Sequence, residues 1–534
     1  MKNLFSKIFK TNLQILKKWE FVAAVIIIIA PSIIYVGMSV VQSYIEYFVV
    51  SPKGMGDILF SWQTINFGQN NVGTLWRIFP LSAFYYLFVY IISIPPDIVQ
   101  QVFLAGLRLV GFLGFIAVLK SLFSNIQFTP RVQVIAGLLF VYNLYTLNYF
   151  SSSYIVLVPY YFLPLQLLLL IKGINSKKFL QFGLLLALTN ACTFGVNLVY
   201  DAIAIAMLGG YLMFSIFVDK QITIASAIKF VAYTATATGL FTVWWLFPML
   251  YGNLIDRDTA SFILKSENFY NLESSPINLL RGLGEWGFFS GYKGELYHNY
   301  ARLYKDNAIV VFAGFFIAVL MFLGFTVVNR LKDIRDKRLV VLMTLLVLLL
   351  LPFIGGTNPA WPTDSLMKWA FENVPFMMAM RNTYKWMSLL IFVSALTSAI
   401  FLQISGVLIG KLKWFALPGL VALIIANTLP IWTGNVYQKS SVIDKVPIYW
   451  QEATSYINTK LDPSVDRILL LPNQYFSIYQ WEGKQIQFPT SFEAHLWKIP
   501  VIQNTCNGCG QVNTSFLLEF IYKICGREST KTQS

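Results

Sequence analysis

Residues 78–97 read IFPLSAFYYLFVYIISIPPD, and whether this segment crosses a membrane sets the side of everything that follows it. It is apolar and about 20 residues long, the length that a transmembrane helix needs. The rest of the chain establishes that the solvent is a bilayer. Of 534 residues, 56% are hydrophobic, 16% aromatic and only 12% charged, against roughly 25% charged in ordinary soluble domains. A chain of that composition cannot cover itself with polar surface, so it is read as a polytopic membrane protein. Eleven other apolar stretches are span candidates, near 21–42, 98–120, 131–150, 153–171, 178–195, 198–218, 224–250, 308–329, 339–355, 385–409 and 414–432.

The basic residues choose between the two readings of 78–97. Lys2, Lys7, Lys10, Lys17 and Lys18 precede the first span. Lys172, Lys177 and Lys178 share one connection, Arg330, Lys332, Arg335, Lys337 and Arg338 another, and Lys411 and Lys413 a third. With eleven spans all four clusters fall on one side, which the positive-inside rule makes cytoplasmic together with the N-terminus. Counting 78–97 as a span would reverse every later cluster. The segment is therefore expected to lie in, or dip into, the outer leaflet, opened by Pro80 and closed by Pro95 and Pro96. The formal net charge of +15, which in a soluble protein would suggest nucleic acid, here fits positive-inside loops and an anionic lipid surface. The first apolar run has no small-residue cleavage site after it and is expected to be retained.

Three outer segments follow, at 43–97, 251–307 and 356–384. Loops longer than about 12–15 residues are usually functional. After about residue 433 the character changes. VPIYWQEATSYINTK reads as an amphipathic helix and DRILLLP as a short buried strand. The expected fold is thus an all-α membrane domain over 1–432 with a small extracytoplasmic α/β domain over 433–534. Cys192 is expected to be a small packing residue. Cys506, Cys509 and Cys525 set no framework, and thiols or a simple disulfide are favoured over a metal site. The chain has no phosphate-binding loop of the G-x-x-x-x-G-K-[ST] type and no G-x-G-x-x-G, so an ATP-driven machine is not expected.

The candidate chemistry lies on the outer side. Asp57 follows Gly56 just past the first span, with Glu46 a competing acid closer to the span end. Each is a potential base, and Asp57 is equally suited to capping a helix. In MMAMRNTYKWMSLLIF, Arg381 and Lys385 are four apart, which places both cations on one face of a helix. There they suit a lipid phosphate, although basic side chains also snorkel at such positions for no functional reason. In INLLRGLGEWGFFSGYKGELYHNY, Arg281, Glu285 and Trp286 sit among glycines and aromatics that can hold a sugar ring, or form an interfacial belt. Asp201 and Arg108 fall inside predicted spans, where a charge is costly and marks either a site or a structural partnership.

These stretches resemble a known class. GDILFSWQTINFGQNNVGTLWRIFPLSAFYYLF, INLLRGLGEWGF and MAMRNTYKW are similar to the first outer loop, the Leu-Arg-Gly-x-x-x-Trp loop and the Arg-Asn-x-x-Lys-aromatic segment of the α-(1→3)-arabinofuranosyltransferase family. That family lies within the GT-C class of membrane glycosyltransferases, and the YfhO-like membrane proteins are a second likeness. The resemblance runs over most of residues 20–500. It implies a GT-C-type fold with a non-crossing helix before the second span. It also implies a polyprenyl-phosphate-linked, arabinofuranose-like sugar donor and a glycan or glycolipid acceptor of the cell envelope. Asp57 matches the first-loop acid that serves as base, with Glu46 the alternative. Arg381 and Lys385 would meet the donor phosphate, and Arg281, Glu285, Trp286, Asn382 and Asp201 the substrate. No cofactor is expected, and the absence of Asp-x-Asp from the first loop argues against a divalent metal. The C-terminal part is expected to be a shortened version of that in longer members. Two other classes remain open, a lipid-linked sugar transporter and a non-catalytic scaffold of an envelope complex. No internal repeat of the transporter kind is visible.

Overall fold

The computed structural model describes residues 19–36, 79–152, 154–255, 273–289, 298–374, 377–380, 382–408, 412–436 and 448–469, with short pieces at 40–41, 62–63, 69–70, 291–292, 295–296, 442–443, 477–481, 484–488, 497–499 and 501–502. They belong to two compact units. One comprises Met1–Val36, Gln101–Phe241 and Asn268–Val436, the other Gly37–Gln100, Thr242–Glu267 and Tyr437–Ser534.

The apolar stretches form helices. In chain order these are α1 (Trp19–Tyr35), α2 (Pro96–Leu122), α3 (Pro130–Val141), α4 (Leu144–Ser152), α5 (Leu157–Ser176), α6 (Phe179–Thr193), α7 (Leu198–Met213) and α8 (Ile224–Ile255). After the short α9 (Pro276–Leu280) come α10 (Ala308–Gly314), α11 (Phe316–Thr326), α12 (Ile334–Gly355), α13 (Met387–Ser405) and α14 (Lys413–Asn427). Among the described residues, seven helical segments are long and apolar enough to cross a membrane: Pro96–Leu122, Tyr154–Ser176, Val199–Val218, Ile224–Phe247, Ala308–Thr326, Ile334–Gly355 and Thr383–Ser405. The stretches at 21–42, 131–150, 178–195 and 414–432 also contain apolar helices, but Trp19–Tyr35, Pro130–Val141, Phe179–Thr193 and Lys413–Asn427 are shorter than a full span.

One of these shortfalls has a visible local cause. The stretch 131–150 divides between α3 and α4 because Asn143 caps the second helix. Its Oδ1 accepts from Thr146 N at 3.0 Å, while Thr146 Oγ1 accepts from Asn143 N at 3.1 Å. This reciprocal pair starts a new helix.

Buried polar groups tie the first unit together. Gln166 Nε2 on α5 donates to Asn190 Oδ1 (3.0 Å) and Thr193 Oγ1 (3.1 Å) on α6, and Asn190 Nδ2 donates to Thr238 Oγ1 on α8 (3.3 Å). Such interhelical bonds average about 0.6 kcal/mol in membrane proteins, so they specify register more than they supply stability. Arg108, inside α2 and 1% exposed, is satisfied by neutral groups. Its Nε donates to Leu104 O (3.0 Å), Nη1 to Tyr142 OH (3.4 Å) and Nη2 to Ser32 Oγ, and its guanidinium lies 5.4 Å from the Phe150 ring centroid. It therefore joins α1, α2 and the α3–α4 corner, the structural partnership that was one of its two sequence readings. Cys192, expected to be packed, is instead exposed on α6, because the apolar run in which it lies does not bury every face of the helix.

In the second unit, Phe79–Tyr86 is α-helical and Leu87–Ile91 continues it as a π-helix. These 13 residues span about 20 Å at 1.5 Å per residue, short of the roughly 30 Å hydrocarbon core. Farther along, Ile448–Lys460 is helical, Ile468–Leu469 pairs in parallel with Val501–Ile502, and Ser477–Trp481 forms a hairpin with Lys484–Phe488. Trp497 is buried against Trp450, Ile457 and Ile468. Cys506, Cys509 and Cys525 lie outside the described residues.

Candidate functional site

The sequence LLRGLGEWG builds a tight turn whose shape depends on glycine. Ser275 caps α9 through Asn278 N (3.4 Å), and Pro276 occupies the first helical position, where its missing N–H costs nothing. The helix ends at Arg281, and Gly282 (φ +79°) and Gly284 (φ +124°) take the chain through conformations that L side chains rarely adopt. Ser274 Oγ donates to Gly284 O at 3.2 Å, and Trp361 Nε1 donates to Ser274 O at 2.7 Å. The turn is thereby held from two directions.

Two charged residues of the motif end up buried. The Glu285 side chain turns back so that Oε2 accepts from Gly287 N at 2.7 Å, and His298 Nε2 lies 3.9 Å from the same oxygen. Glu285 is 5% and His298 1% exposed. Gly287 makes this meeting possible, because a Cβ there would sit 2.5 Å from His298 Nε2 and 2.8 Å from Glu285 Oε2. His298 stacks on Tyr300 with ring centroids 5.2 Å apart, and Tyr149, Tyr200 and Tyr384 lie within electrostatic range of the Glu285 carboxylate. Sequence reasoning did not single out His298. Its signal was available, since it is one of only two histidines in the chain and stands among tyrosines within a stretch already under suspicion.

Arg281 is 8% exposed. Its Nη2 donates to Tyr304 O and its guanidinium lies 5.8 Å from the Phe315 ring centroid. Nε has no hydrogen-bond partner among the described residues. Burial holds the group below the ordinary arginine pKa. Tyr304 OH in turn donates to Asn427 O at 2.9 Å, so the loop is anchored to α14.

The second motif meets the first at Tyr384. Its OH donates to Gly282 O at 2.6 Å and accepts from Asn148 Nδ2 at 2.9 Å, while Thr383 Oγ1 donates to Ile354 O at 2.8 Å. Arg281 and Lys385 therefore flank one contact between segments about a hundred residues apart. The α-helix α13 begins only at Met387, and Thr383–Trp386 is a 3-10 turn. In this turn the side chains of Thr383 and Tyr384 are committed to α12 and the glycine turn. Lys385 is half-buried, and Asn382 occupies the N-cap position of the 3-10 turn.

Asp201 sits one turn into α7. Its Oδ2 accepts from Gly195 N at 3.0 Å and closes the loop between α6 and α7. Asp57, Glu46 and Arg381 lie outside the described residues, as does the side chain of Trp286. Among the described residues, no three His, Cys, Asp or Glu side chains gather closely enough to hold a metal.

If Tyr384 joins the two motifs, Tyr384→Phe leaves the Gly282 carbonyl and the Asn148 amide each short of a buried partner. The expected loss is about 1–3 kcal/mol in unfolding free energy, read as a lower midpoint in denaturant for the detergent-solubilised chain. A wild-type midpoint would show that the contact contributes nothing.

The site's family follows from comparison with known proteins. A family model described as "Alpha-(1->3)-arabinofuranosyltransferase, N-terminal GT-C domain" matches residues 50–490. The α-(1→3)-arabinofuranosyltransferase of Mycobacterium tuberculosis (strain ATCC 25618 / H37Rv) is 25% identical over 444 residues, 78% of this chain and 30% of the relative. The cryo-EM structure of arabinofuranosyltransferase AftD from mycobacteria is similar with a TM-score of 0.64 at 18% identity, over 91% of this chain and 31% of that one. A mutant form of the same enzyme gives 0.63. The chain thus spans about a third of the length of these relatives, and at this identity the solved structures establish the fold, a GT-C type. Because the family match covers well over half of its residues and takes in both joined motifs, the chain belongs to the α-(1→3)-arabinofuranosyltransferase family, in the N-terminal GT-C domain.

Proposed function

We propose that this chain transfers a sugar, arabinofuranose-like by family, from a polyprenyl-phosphate donor to a glycan or glycolipid acceptor at the outer face of the membrane. The observation that carries the reading is the Tyr384–Gly282 contact, which unites the Arg281–Glu285 turn with the Lys385 segment in one place. A carboxylate, Asp57 or Glu46, takes the acceptor hydroxyl proton as the new C–O bond forms at the anomeric carbon. The bond from that carbon to the phosphate oxygen breaks, and its electron pair stays on the lipid phosphate. Arg381 and Lys385 neutralise that charge. A single displacement inverts the anomeric carbon. Neither a cofactor nor a metal has a step to perform in this scheme.

A transfer assay with membranes and a polyprenyl-phosphate sugar tests the reading. Arg381→Ala and Lys385→Ala should each weaken donor use roughly 10- to 150-fold, the cost of one charge-assisted contact. Unchanged donor use in the double variant would leave these cations as snorkelling side chains. The proposed sidedness has its own check. Residues 433–534 face outward and 78–94 does not cross, so an impermeant thiol reagent added outside should label a cysteine placed at Ser441 and spare one placed at Ser176. The opposite pattern overturns the topology.

A further inference from the structure

Between α12 and α13 the chain forms a helix, Asp364–Asn373, whose 10 residues divide into three faces. Successive residues of a helix turn by about 100°. Met367 and Phe371 therefore share one face, and both are buried against Phe353 and Met377. Ser365, Lys368 and Glu372 share a second face, which is polar and exposed. The third face carries Leu366 and Trp369, which are 61% and 56% exposed. A surface helix of a soluble protein has one apolar face, turned to the core, and one polar face, turned to water. This helix has a second apolar face with the core already satisfied by the first, so it borders three surroundings: protein, water and a further apolar phase.

The fold says what that phase is. Thr363 Oγ1 donates to Pro352 O at 3.3 Å just before the helix, Met367 and Phe371 pack on Phe353 along it, and Thr383 Oγ1 donates to Ile354 O at 2.8 Å after it. Consecutive residues in the last turn of α12 thus set its level. The segments Ile334–Gly355 and Thr383–Ser405 are both long and apolar enough to cross a membrane. The helix follows the end of one and precedes the start of the other, so it is held at the mouths of two spans on one side of the bilayer. Hydrocarbon gives way to headgroups at that level, where tryptophan is favoured.

We infer that the helix Asp364–Asn373 lies in the plane of the membrane, with Leu366 and Trp369 set into the lipid and Ser365, Lys368 and Glu372 in water. Its partner is the apolar lipid surface and not an anionic headgroup. The helix has one cation, Lys368, against two acids, Asp364 and Glu372, and Lys368 Nζ already lies 3.1 Å from Asp364 Oδ2. Burial of apolar area, without charge attraction, therefore holds it. Because Met377 packs against the same helix and Thr383 is bonded to the same turn of α12, the anchor fixes the depth at which the Thr383–Trp386 turn enters α13. The inference does not depend on sugar transfer.

The test is nitroxide accessibility in the full chain, with its 4 native cysteines changed to serine, in phosphatidylcholine nanodiscs. A label on Leu366→Cys should be reached by oxygen and shielded from a water-soluble nickel chelate, and a label on Glu372→Cys should show the reverse. Added phosphatidylglycerol should change neither. Equal nickel access at the two positions overturns the inference. Shielding of the Leu366→Cys label from both reagents overturns it as well, because protein then covers the face. Insertion that requires phosphatidylglycerol overturns the apolar assignment in favour of a charge-held one. A second measurement reads the anchor itself. In Leu366→Gln/Trp369→Gln, a label on Asn373→Cys should lose its nickel shielding while the denaturant midpoint stays at wild type. Persistent shielding would show that the contacts with α12 set the depth alone, and the anchor role would fall. Should that double variant fail to fold, the labels on the two faces decide.

Discussion

Asp57→Asn should lower sugar transfer about 100-fold or more while leaving donor binding intact. Asparagine keeps the shape and hydrogen-bonding capacity of the aspartate but cannot accept a proton, and the acceptor hydroxyl is far too weak an acid to react unaided. Lipid-phosphate contacts lie elsewhere in the proposed site, so affinity for the donor should hold. The competing role for Asp57, a helix cap, predicts the opposite, because asparagine caps as well as aspartate. Glu46→Gln in the same assay separates the two acids of the first loop. Full activity in Asp57→Asn would end its claim as base, and an inactive Glu46→Gln beside it would pass the role to Glu46. If both variants transfer normally, the scaffold reading regains its ground.

Gly284→Ala is expected to cost about 2–4 kcal/mol of stability and to disable the site with it. Two effects combine. At φ +124° any L residue is strained, a cost of order 1–3 kcal/mol. The added Cβ would also lie 2.8 Å from Leu279 Cδ2, 3.3 Å from Ser274 Oγ and 3.4 Å from Tyr384 Cδ2, and overpacking of this kind costs about 1–3 kcal/mol. Relief of the clash has to move Leu279 or Tyr384, and Tyr384 is what joins the two motifs. The control is Gly419→Ala in α14, where nothing lies within 4 Å of the new methyl group and helix propensity favours alanine by up to about 1 kcal/mol. Denaturant midpoints and transfer rates of the two variants should diverge sharply. Equal midpoints would show that the turn tolerates a side chain and that its glycines are not structural.

Much of the fold was legible because it is a matter of local composition. An apolar run must form a helix in a bilayer, since every backbone donor and acceptor has to be satisfied within the segment. Each of the eleven stretches accordingly contains an apolar helix, and the Pro-bounded 78–97 segment contains only a short one. Lengths were less legible. The division between α3 and α4 follows from the Asn143–Thr146 cap, which an apolar window averages away. Cys192 shows the same limit, for a run of apolar residues does not say which face of the helix is covered.

The site was legible only in its parts. The glycine and aromatic loop and the RNTYKW segment stand out by themselves, because glycine clusters, cations and aromatics are unusual beside membrane helices. That Tyr384 would reach Gly282, 102 residues away, follows from no spacing or periodicity. Nor does the meeting of His298 with Glu285, which needs a turn through two positive-φ glycines and a third position with no Cβ. The burial of Arg281 against Tyr304 and Phe315 is likewise a product of separate segments packing together. The sequence by itself determined that this is a many-helix membrane chain, because hydrophobicity acts residue by residue, and its motifs carried the resemblance to the GT-C class. Only the tertiary structure decided which of those residues meet, because a hydrogen bond or a buried charge depends on where distant segments pack.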